Sequence, residues 1–232
     1  MIINSLAIIP ARGGSKRIPK KNVRNFLGKP IIAYSIEAAL DSKLFDEVMV
    51  STDDAEIAEI AKSYGAAVPF FRSSKNSDDF ATTSDVLIEV LEEYEKINRY
   101  FVNGCCIYAT APFVTAANLK TANEILIKER FDSVFPILRF SYPIQRALQM
   151  VDQKVTMINS QFLDTRSQDL PKAYHDSGQF YWFSVAAFKM KRRLFTDNSG
   201  SVVLSDYEAH DIDDLADWKI AELKYQYLHS KK

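Results

Sequence analysis

The chain is poor in cysteine. Of its 232 residues only Cys105 and Cys106 carry thiols, and they are neighbours. On a strand, adjacent side chains point to opposite faces, so the pair builds neither a disulfide framework nor a Cys/His metal spacing. They read as free thiols of a reducing compartment. Histidine is nearly as scarce, at three residues, and neither His175 nor His210 stands in a nucleophile or metal-ligand spacing. No apolar run approaches the ~20 residues that cross a bilayer. The first residues also lack the charged-then-apolar order of a secretory leader, so the expected location is cytoplasmic. Excess charge of one sign is missing too, with 29 Lys and Arg against 30 Asp and Glu. A near-neutral chain with no basic cluster interleaved with aromatics suits neither nucleic acid nor a membrane surface. The short runs Lys191-Arg192-Arg193 and Lys231-Lys232 read as solvated surface.

Against that background the stretch Leu6 to Asn22, LAIIPARGGSKRIPKKN, is dense in cations. It opens with an apolar run of strand length, passes through the small-residue turn Pro10 to Lys16, and continues into more charge. Arg12, Lys16, Arg17, Lys20, Lys21 and Arg24 follow one another with no carboxylate between them. A buried strand that runs into a glycine-rich loop presents backbone N–H groups to phosphate. Glycine serves there because a side chain would hold the anion away. The spacing is neither that of a Walker A loop nor of the GxGxxG fingerprint. Taken alone, the stretch fits a polyphosphate site and also a tight surface turn with solvated cations.

Further on, apolar runs of strand length alternate with helical periodicity. Ile31 to Leu40 repeats at helical spacing through Ile32, Ile36 and Leu40. Val48 to Ser51 reads as a strand, and Asp53 with Glu56 as a capping box opening the next helix. Val68 to Phe71 reads as a third strand, Arg72 to Thr82 as a loop, and Val86 to Tyr94 as a helix. Val102 to Tyr108, a helix from about Ala116 to Lys128, and a strand from Asp132 to Leu138 complete the first part. This alternation predicts an α/β fold with a parallel sheet covered on both faces. Ligands of such sheets sit beyond the carboxyl ends of the strands, here near Arg12 to Ser15, Thr52-Asp53, Arg72 and Tyr108 to Pro112. After Arg139 the pattern breaks. Leu148 to Ile158 suggests a hairpin turning at Asp152-Gln153-Lys154. Arg166 to Gly178 is polar, Gln179 to Ser184 is an aromatic strand, and Asp211 to Leu228 is a closing helix packed through Leu215, Trp218, Ile220, Ala221 and Tyr225. One domain over residues 1–232 is expected. The segment at about 140–164 has no place in the sheet and reads as an arm reaching for a partner subunit.

Four motifs in order resemble those of the cytidylyltransferases that activate nonulosonic, sialic-acid-like sugars. They are Ile9-Pro10-Ala11-Arg12-Gly13-Gly14-Ser15-Lys16 with Lys21-Asn22, then Val50-Ser51-Thr52-Asp53, then Arg166 with Leu170-Pro171, Gly178 and Tyr181, and finally Asp211-Ile212-Asp213 with Asp217-Trp218. The resemblance spans essentially the whole chain. It implies a Rossmann-like, glycosyltransferase-A-like nucleotidyltransferase fold with a mostly parallel sheet, a small extended dimerisation arm and a homodimer. It also implies transfer of CMP from CTP to the anomeric hydroxyl of a nine-carbon sugar acid, with Mg²⁺ as cofactor. Arg12, Lys21 and Arg166 would be catalytic. Ala11, Arg12, Gly13, Gly14, Ser15, Lys21, Asn22, Arg72, Ala81 and Thr83 would hold the nucleotide, and Asp211 with Asp213 the metal. Tyr108, Arg166, Gln168, Tyr174, His175, Gln179 and Tyr181 would face the sugar.

The sugar side departs from the sialic acid pattern. Tyr108 stands where a glutamine is usual and Ser177 where an asparagine is, within the run HDSGQFYWF. That combination looks like the branch acting on pseudaminic acid, which commonly feeds surface or flagellar glycosylation in bacteria. N-acetylneuraminic acid, a legionaminic-type sugar or 3-deoxy-octulosonic acid are the alternative acceptors. A non-catalytic nucleotide-binding regulator on the same fold is the alternative from another class. By local pattern alone, Asp213, Asp214 and Asp217 also fit the charged start of a helix.

Overall fold

The computed structural model describes residues 4–78 and 80–230; the pair Lys231-Lys232 lies outside them. The opening apolar run forms β1 (Ser5–Pro10), in which Leu6, Ala7, Ile8 and Ile9 are all fully buried. Burial on both faces is what a central parallel strand demands. Its parallel neighbours are β2 (Glu47–Ser51) and β3 (Asn103–Ile107). β4 (Ser133–Arg139) follows. The chain then leaves the sheet as a hairpin, β5 (Leu148–Val151) and β6 (Lys154–Met157), and returns as β7 (Tyr174–Asp176), β8 (Phe180–Ser184) and β9 (Ser199–Leu204).

The sheet runs β9-β4-β8-β3-β1-β2, with β7 beside the far end of β4. β8 is antiparallel to both β3 and β4, and β7 is antiparallel to β4; the other pairings are parallel. β8 takes the first two residues of β4 and β7 its last three. Pro136 falls in the gap between them, where its carbonyl accepts the Ser177 N–H at 3.2 Å. A proline is tolerated at such a break in pairing.

Among the described residues six α-helices pack around the sheet: α1 (Ile31–Ser42), α2 (Ala55–Ser63), α3 (Thr83–Lys96), α4 (Ala116–Glu129), α5 (Val185–Lys191) and α6 (Leu215–His229). One core joins Ala7, Ile9, Cys105 and Ile107 to α1 and α4; the other joins Leu6, Ile8 and Cys106 to α3 and α5. The two cysteines do point to opposite faces, and burial pushes both thiols up. They are inert core residues. A third cluster places Ile18 and Phe26, just past the basic loop, against Ile212 and Trp218 near the end of the chain. That contact closes the site described below.

Four expectations need correction. Val68 to Phe71 forms no strand: only Ala67 bridges Met49, and Pro69 removes a donor that an edge strand would need. The cap of α2 is Asp54, which accepts the Ile57 N–H at 3.1 Å; Asp53 is turned elsewhere. The last helix begins at Leu215 rather than Asp211, because Asp214 and Asp217 form a reciprocal capping box. Its buried face is then set by Trp218 and Ala221, while Leu215 and Ile220 are exposed. Three elements were not foreseen: β7, α5 and β9. The expected hairpin is present, with its turn at Asp152 and Gln153 in the left-handed region (φ 50° and 64°).

Candidate active site

Beyond the carboxyl ends of β1 and β3 lies a cleft of about 450 Å³. Arg12, Gly14, Ser15, Lys21, Asn22, Arg72, Ala81, Thr83 and Tyr108 line it together with Lys16, Arg17 and Thr110. Five of the lining side chains are cations and none is a carboxylate. The loop after β1 is shaped by close approaches. A Cβ on Gly13 would come within 2.7 Å of Asp54 Oδ2, whereas a Cβ on Gly14 would meet nothing. Gly13 therefore lets the loop touch the start of α2, and Gly14 leaves the cleft open. Two of the N–H groups expected to face phosphate are engaged inside the protein: Gly13 N–H donates to Asp53 Oδ1 at 2.9 Å and Ser15 N–H to the Gly13 carbonyl at 3.1 Å. Ala11 is a buried core residue whose N–H donates to the Ser51 carbonyl at 2.9 Å.

The side chains around the cleft are held from behind. Asn22 Nδ2 donates to the Arg12 carbonyl at 2.9 Å, and Arg12 Nη1 donates to the Asp78 carbonyl at 2.9 Å. Arg72, only 8% exposed, donates from Nε to Ser51 Oγ at 3.0 Å and from Nη2 to the Ser51 carbonyl. Its burial is partly offset by the charge of Asp53. Asp53 thus serves both the loop and Arg72, a role that the motif Ser51-Thr52-Asp53 only hinted at.

Beside Lys21 and Arg17, at the edge of the cleft, stand Asp211 and Asp213. They lie in extended chain before α6, with Ile212 fully buried between them. Alternation then puts both carboxylates on the outward side. Lys21 Nζ donates to the Ile212 carbonyl at 2.7 Å, and Arg17 Nη2 pairs with Asp213 Oδ1 at 2.7 Å. Burial pulls the Lys21 ammonium below the ordinary lysine range, opposed by the nearby charges of Asp213 and Asp211. Burial and the Asp213 charge together push the Asp211 carboxyl up. Two hard carboxylate oxygen donors that destabilise one another suit a small divalent cation. Among the described residues no group of three or more candidate metal ligands gathers. Arg17, which ties the basic loop to Asp213, was read from sequence only as one cation in a run.

The sugar-side residues divide. Tyr108 and Thr83 form a wall shared with a second cavity of about 360 Å³, lined also by Tyr181, Arg193, Leu194 and Phe195. Tyr181 is buried and its hydroxyl donates to Asp176 Oδ2. Gln179 is buried and donates from Nε2 to the Glu208 carbonyl at 2.7 Å. Tyr174 and His175 are exposed on β7. Arg166 is exposed and paired with Asp169 Oδ2 at 2.7 Å, and Gln168 lines a separate cavity of about 240 Å³ at the base of the arm. Neither of these two lines the cleft.

A mostly parallel sheet with a cationic loop past its first strand and a carboxylate pair beside that loop defines a nucleotide-handling α/β enzyme. The comparisons narrow this class. A profile of the cytidylyltransferase family matches residues 6–221, and the chain belongs to that family. It is 43% identical to a pseudaminic acid cytidylyltransferase of Campylobacter jejuni subsp. jejuni serotype O:2 over 228 residues, 98% of each chain. It is 31% identical to a CMP-N,N'-diacetyllegionaminic acid synthase of Legionella pneumophila, covering 94% of each. In three dimensions it is similar to a CMP:2-keto-3-deoxy-manno-octonic acid synthetase complexed with CTP, with a TM-score of 0.72, 16% identity and coverage of 98% and 99%. At that identity the likeness speaks for the fold.

Proposed function

We propose that this enzyme transfers CMP from CTP to the anomeric hydroxyl of pseudaminic acid, releasing pyrophosphate. One observation carries the reading: a single cleft gathers Arg12, Lys21 and Arg72 while Lys21 lies within electrostatic reach of Asp211 and Asp213. The acceptor is taken from the 43% identical relatives, and the side chains fit a polar sugar acid. The cavity beyond Tyr108 offers hydroxyls, an arginine and the apolar walls Leu194 and Phe195, a mixture suited to an N-acylated sugar.

In the reaction the anomeric oxygen forms a bond to the α-phosphorus, the bond to the pyrophosphate oxygen breaks, and the hydroxyl proton leaves to solvent. The chain's contribution is positioning and neutralisation of spreading negative charge. Arg12 offers a planar fork to phosphate oxygens and Lys21 a compact charge to the leaving pyrophosphate. Asn22, Arg72, Ala81 and Thr83 would line the cytidine side. Asp211 and Asp213 would hold Mg²⁺, which when bound supplies charge neutralisation at the phosphates. Arg17 holds Asp213 at one oxygen and so orients it. The arm and Arg166 complete the assembly in a homodimer, the arm's exposed apolar residues forming the contact and Arg166 approaching the partner's sugar.

The test is pyrophosphate release from CTP and Mg²⁺ with a panel of sugar acids. Release with pseudaminic acid well above that with N-acetylneuraminic, legionaminic-type and octulosonic acids is expected. Release with none, alongside tight CTP binding, would mark a nucleotide-binding regulator instead.

A further inference from the structure

The cavity of about 360 Å³ that shares Tyr108 and Thr83 with the cleft is lined by a single cation. Among the described residues of its lining only Arg193 carries charge, and no carboxylate answers it. The backbone on either side of Arg193 is fixed. Arg192 closes α5 in the left-handed region (φ 50°) and donates its N–H to the Phe188 carbonyl at 2.7 Å. Leu194 is buried, and its carbonyl accepts from Ser133 Oγ. The Phe195 ring lies 4.5 Å from that of Phe135 and 6.0 Å from that of Tyr181, centroid to centroid. Arg193 itself is exposed. Among the described residues its guanidinium takes part in no hydrogen bond, ion pair or ring contact. The fold thus carries a guanidinium to this cavity and leaves its donors uncommitted.

The shape of the acceptor decides what meets it. In the proposed reaction the anomeric oxygen attacks the α-phosphorus, so the anomeric carbon lies in the cationic cleft. The carboxylate of a 2-keto sugar acid is bonded to that same carbon and stays there with it. Tyr108 and Thr83 line both cavities, so what passes beyond them is the far end of the sugar, which carries hydroxyls and acylamino groups. Arginine has only donors to offer, while Leu194 and Phe195 offer apolar surface. An acylamino group answers both, with a carbonyl oxygen for the guanidinium and a methyl for the apolar walls. A hydroxyl is shorter and leaves those walls bare.

We propose that Arg193 selects the acceptor by its N-acyl group: the guanidinium donates to the acyl carbonyl oxygen, in a cavity where Leu194 and Phe195 cover the acyl methyl. This deepens the cytidylyltransferase reading given above and rests on it.

The test compares two acceptors, a nonulosonic acid with acylamino groups and its analogue with hydroxyls in their place. An analogue that is not turned over is read by its Ki against the acylamino acceptor. The wild-type chain should have the lower KM for the acylamino acceptor. Arg193→Met keeps the apolar stem and removes the donors. It should raise KM for the acylamino acceptor about tenfold and leave the values for the hydroxyl analogue and for CTP within about twofold. Arg193→Lys keeps a charged donor without the planar fork and should recover part of the loss. The melting curve should stay that of the wild-type chain. Equal losses on both acceptors would mean that Arg193 meets a group they share, such as the carboxylate, and would overturn the assignment while the enzyme's reaction stands. An unchanged KM for the acylamino acceptor in Arg193→Met would overturn it too, as would a wild-type chain that does not prefer that acceptor. No pyrophosphate release by the wild-type chain with any sugar acid would overturn the cytidylyltransferase reading as well.

Discussion

Lys21 carries its charge where burial penalises it, and it is relieved by the Ile212 carbonyl and the charges of Asp213, Asp211 and Asp217. An ammonium held in that way is poised for an anion. Lys21→Ala and Arg12→Ala should each lower kcat/KM by about 10²–10³-fold, with the far-ultraviolet circular dichroism and melting curve kept. Native-like turnover in either would refute the phosphate-site reading. The double variant Asp211→Ala, Asp213→Ala should lose activity together with its response to a Mg²⁺ titration; an unaltered titration would refute the metal reading. At this scale the sequence was informative where residues were neighbours in the chain. Arg12, Lys21, Asn22 and the two aspartates stood inside readable motifs. The pairing of Arg17 with Asp213 was invisible, because nothing local joins the two ends of a chain. The same holds for Asp53, taken for a helix cap: the distant Gly13 N–H engages Asp53 and Asp54 caps α2 instead.

Among the elements, β3 and β9 owe their packing to glycines. A Cβ on Gly104 would lie 2.3 Å from the Phe183 ring, and one on Gly200 2.4 Å from the Phe131 ring. Phe183 is 1% exposed and cannot move aside, whereas Phe131 is only half-buried. Gly104→Ala should therefore cost about 2–3 kcal/mol and Gly200→Ala less, measured by urea unfolding. The start of β4 is pinned by Asp132, which Lys191 and Thr196 reach at 2.8 and 2.9 Å. The bond from Lys191, aided by Thr196 and Asn198, holds its carboxyl below the usual range. A depressed carboxyl stabilises the fold fully above the unfolded-state value of about 3.9 and loses that contribution as pH falls through the lower folded value. Asp132→Asn should lower the melting temperature by about 2 °C at pH 7. The gap to wild type should close as pH drops toward about 2, and a gap that persisted there would contradict the pairing. The alternating first half, apart from the strand expected at Val68 to Phe71, was legible because strands and helices each announced themselves by period. The returning strand β8 was legible as a strand but not as antiparallel, since direction follows from the route of the chain. β7, α5 and β9 are short or polar and give too few residues for a period to show.

For the molecule as a whole, the hairpin is the feature that a single subunit leaves unexplained. Met150 and Val155 face each other across it, 73% and 58% exposed, and Leu148, Ile158 and Leu163 are exposed as well. A contiguous apolar surface of this kind is expected at an interface. On the proposed homodimer, the wild-type chain should sediment as a dimer and Met150→Asp with Val155→Asp should shift it to monomer. If Arg166 acts across the interface, activity should fall with dilution. A dimer that survives both charges would place the interface elsewhere.

By itself the sequence determined the parallel half of the sheet, the cation-rich loop beyond its first strand and the hairpin outside it. Those features arise from patterns within a few residues, where periodicity, proline and charge act directly. Only the tertiary structure decided that Ile212 packs against the chain's opening segment, bringing Asp211 and Asp213 to Lys21, and that Tyr181, bonded to Asp176, packs its ring beside Tyr108. The free energy that makes those contacts comes from burying side chains far apart in the chain, and no local pattern encodes which distant surface will cover which.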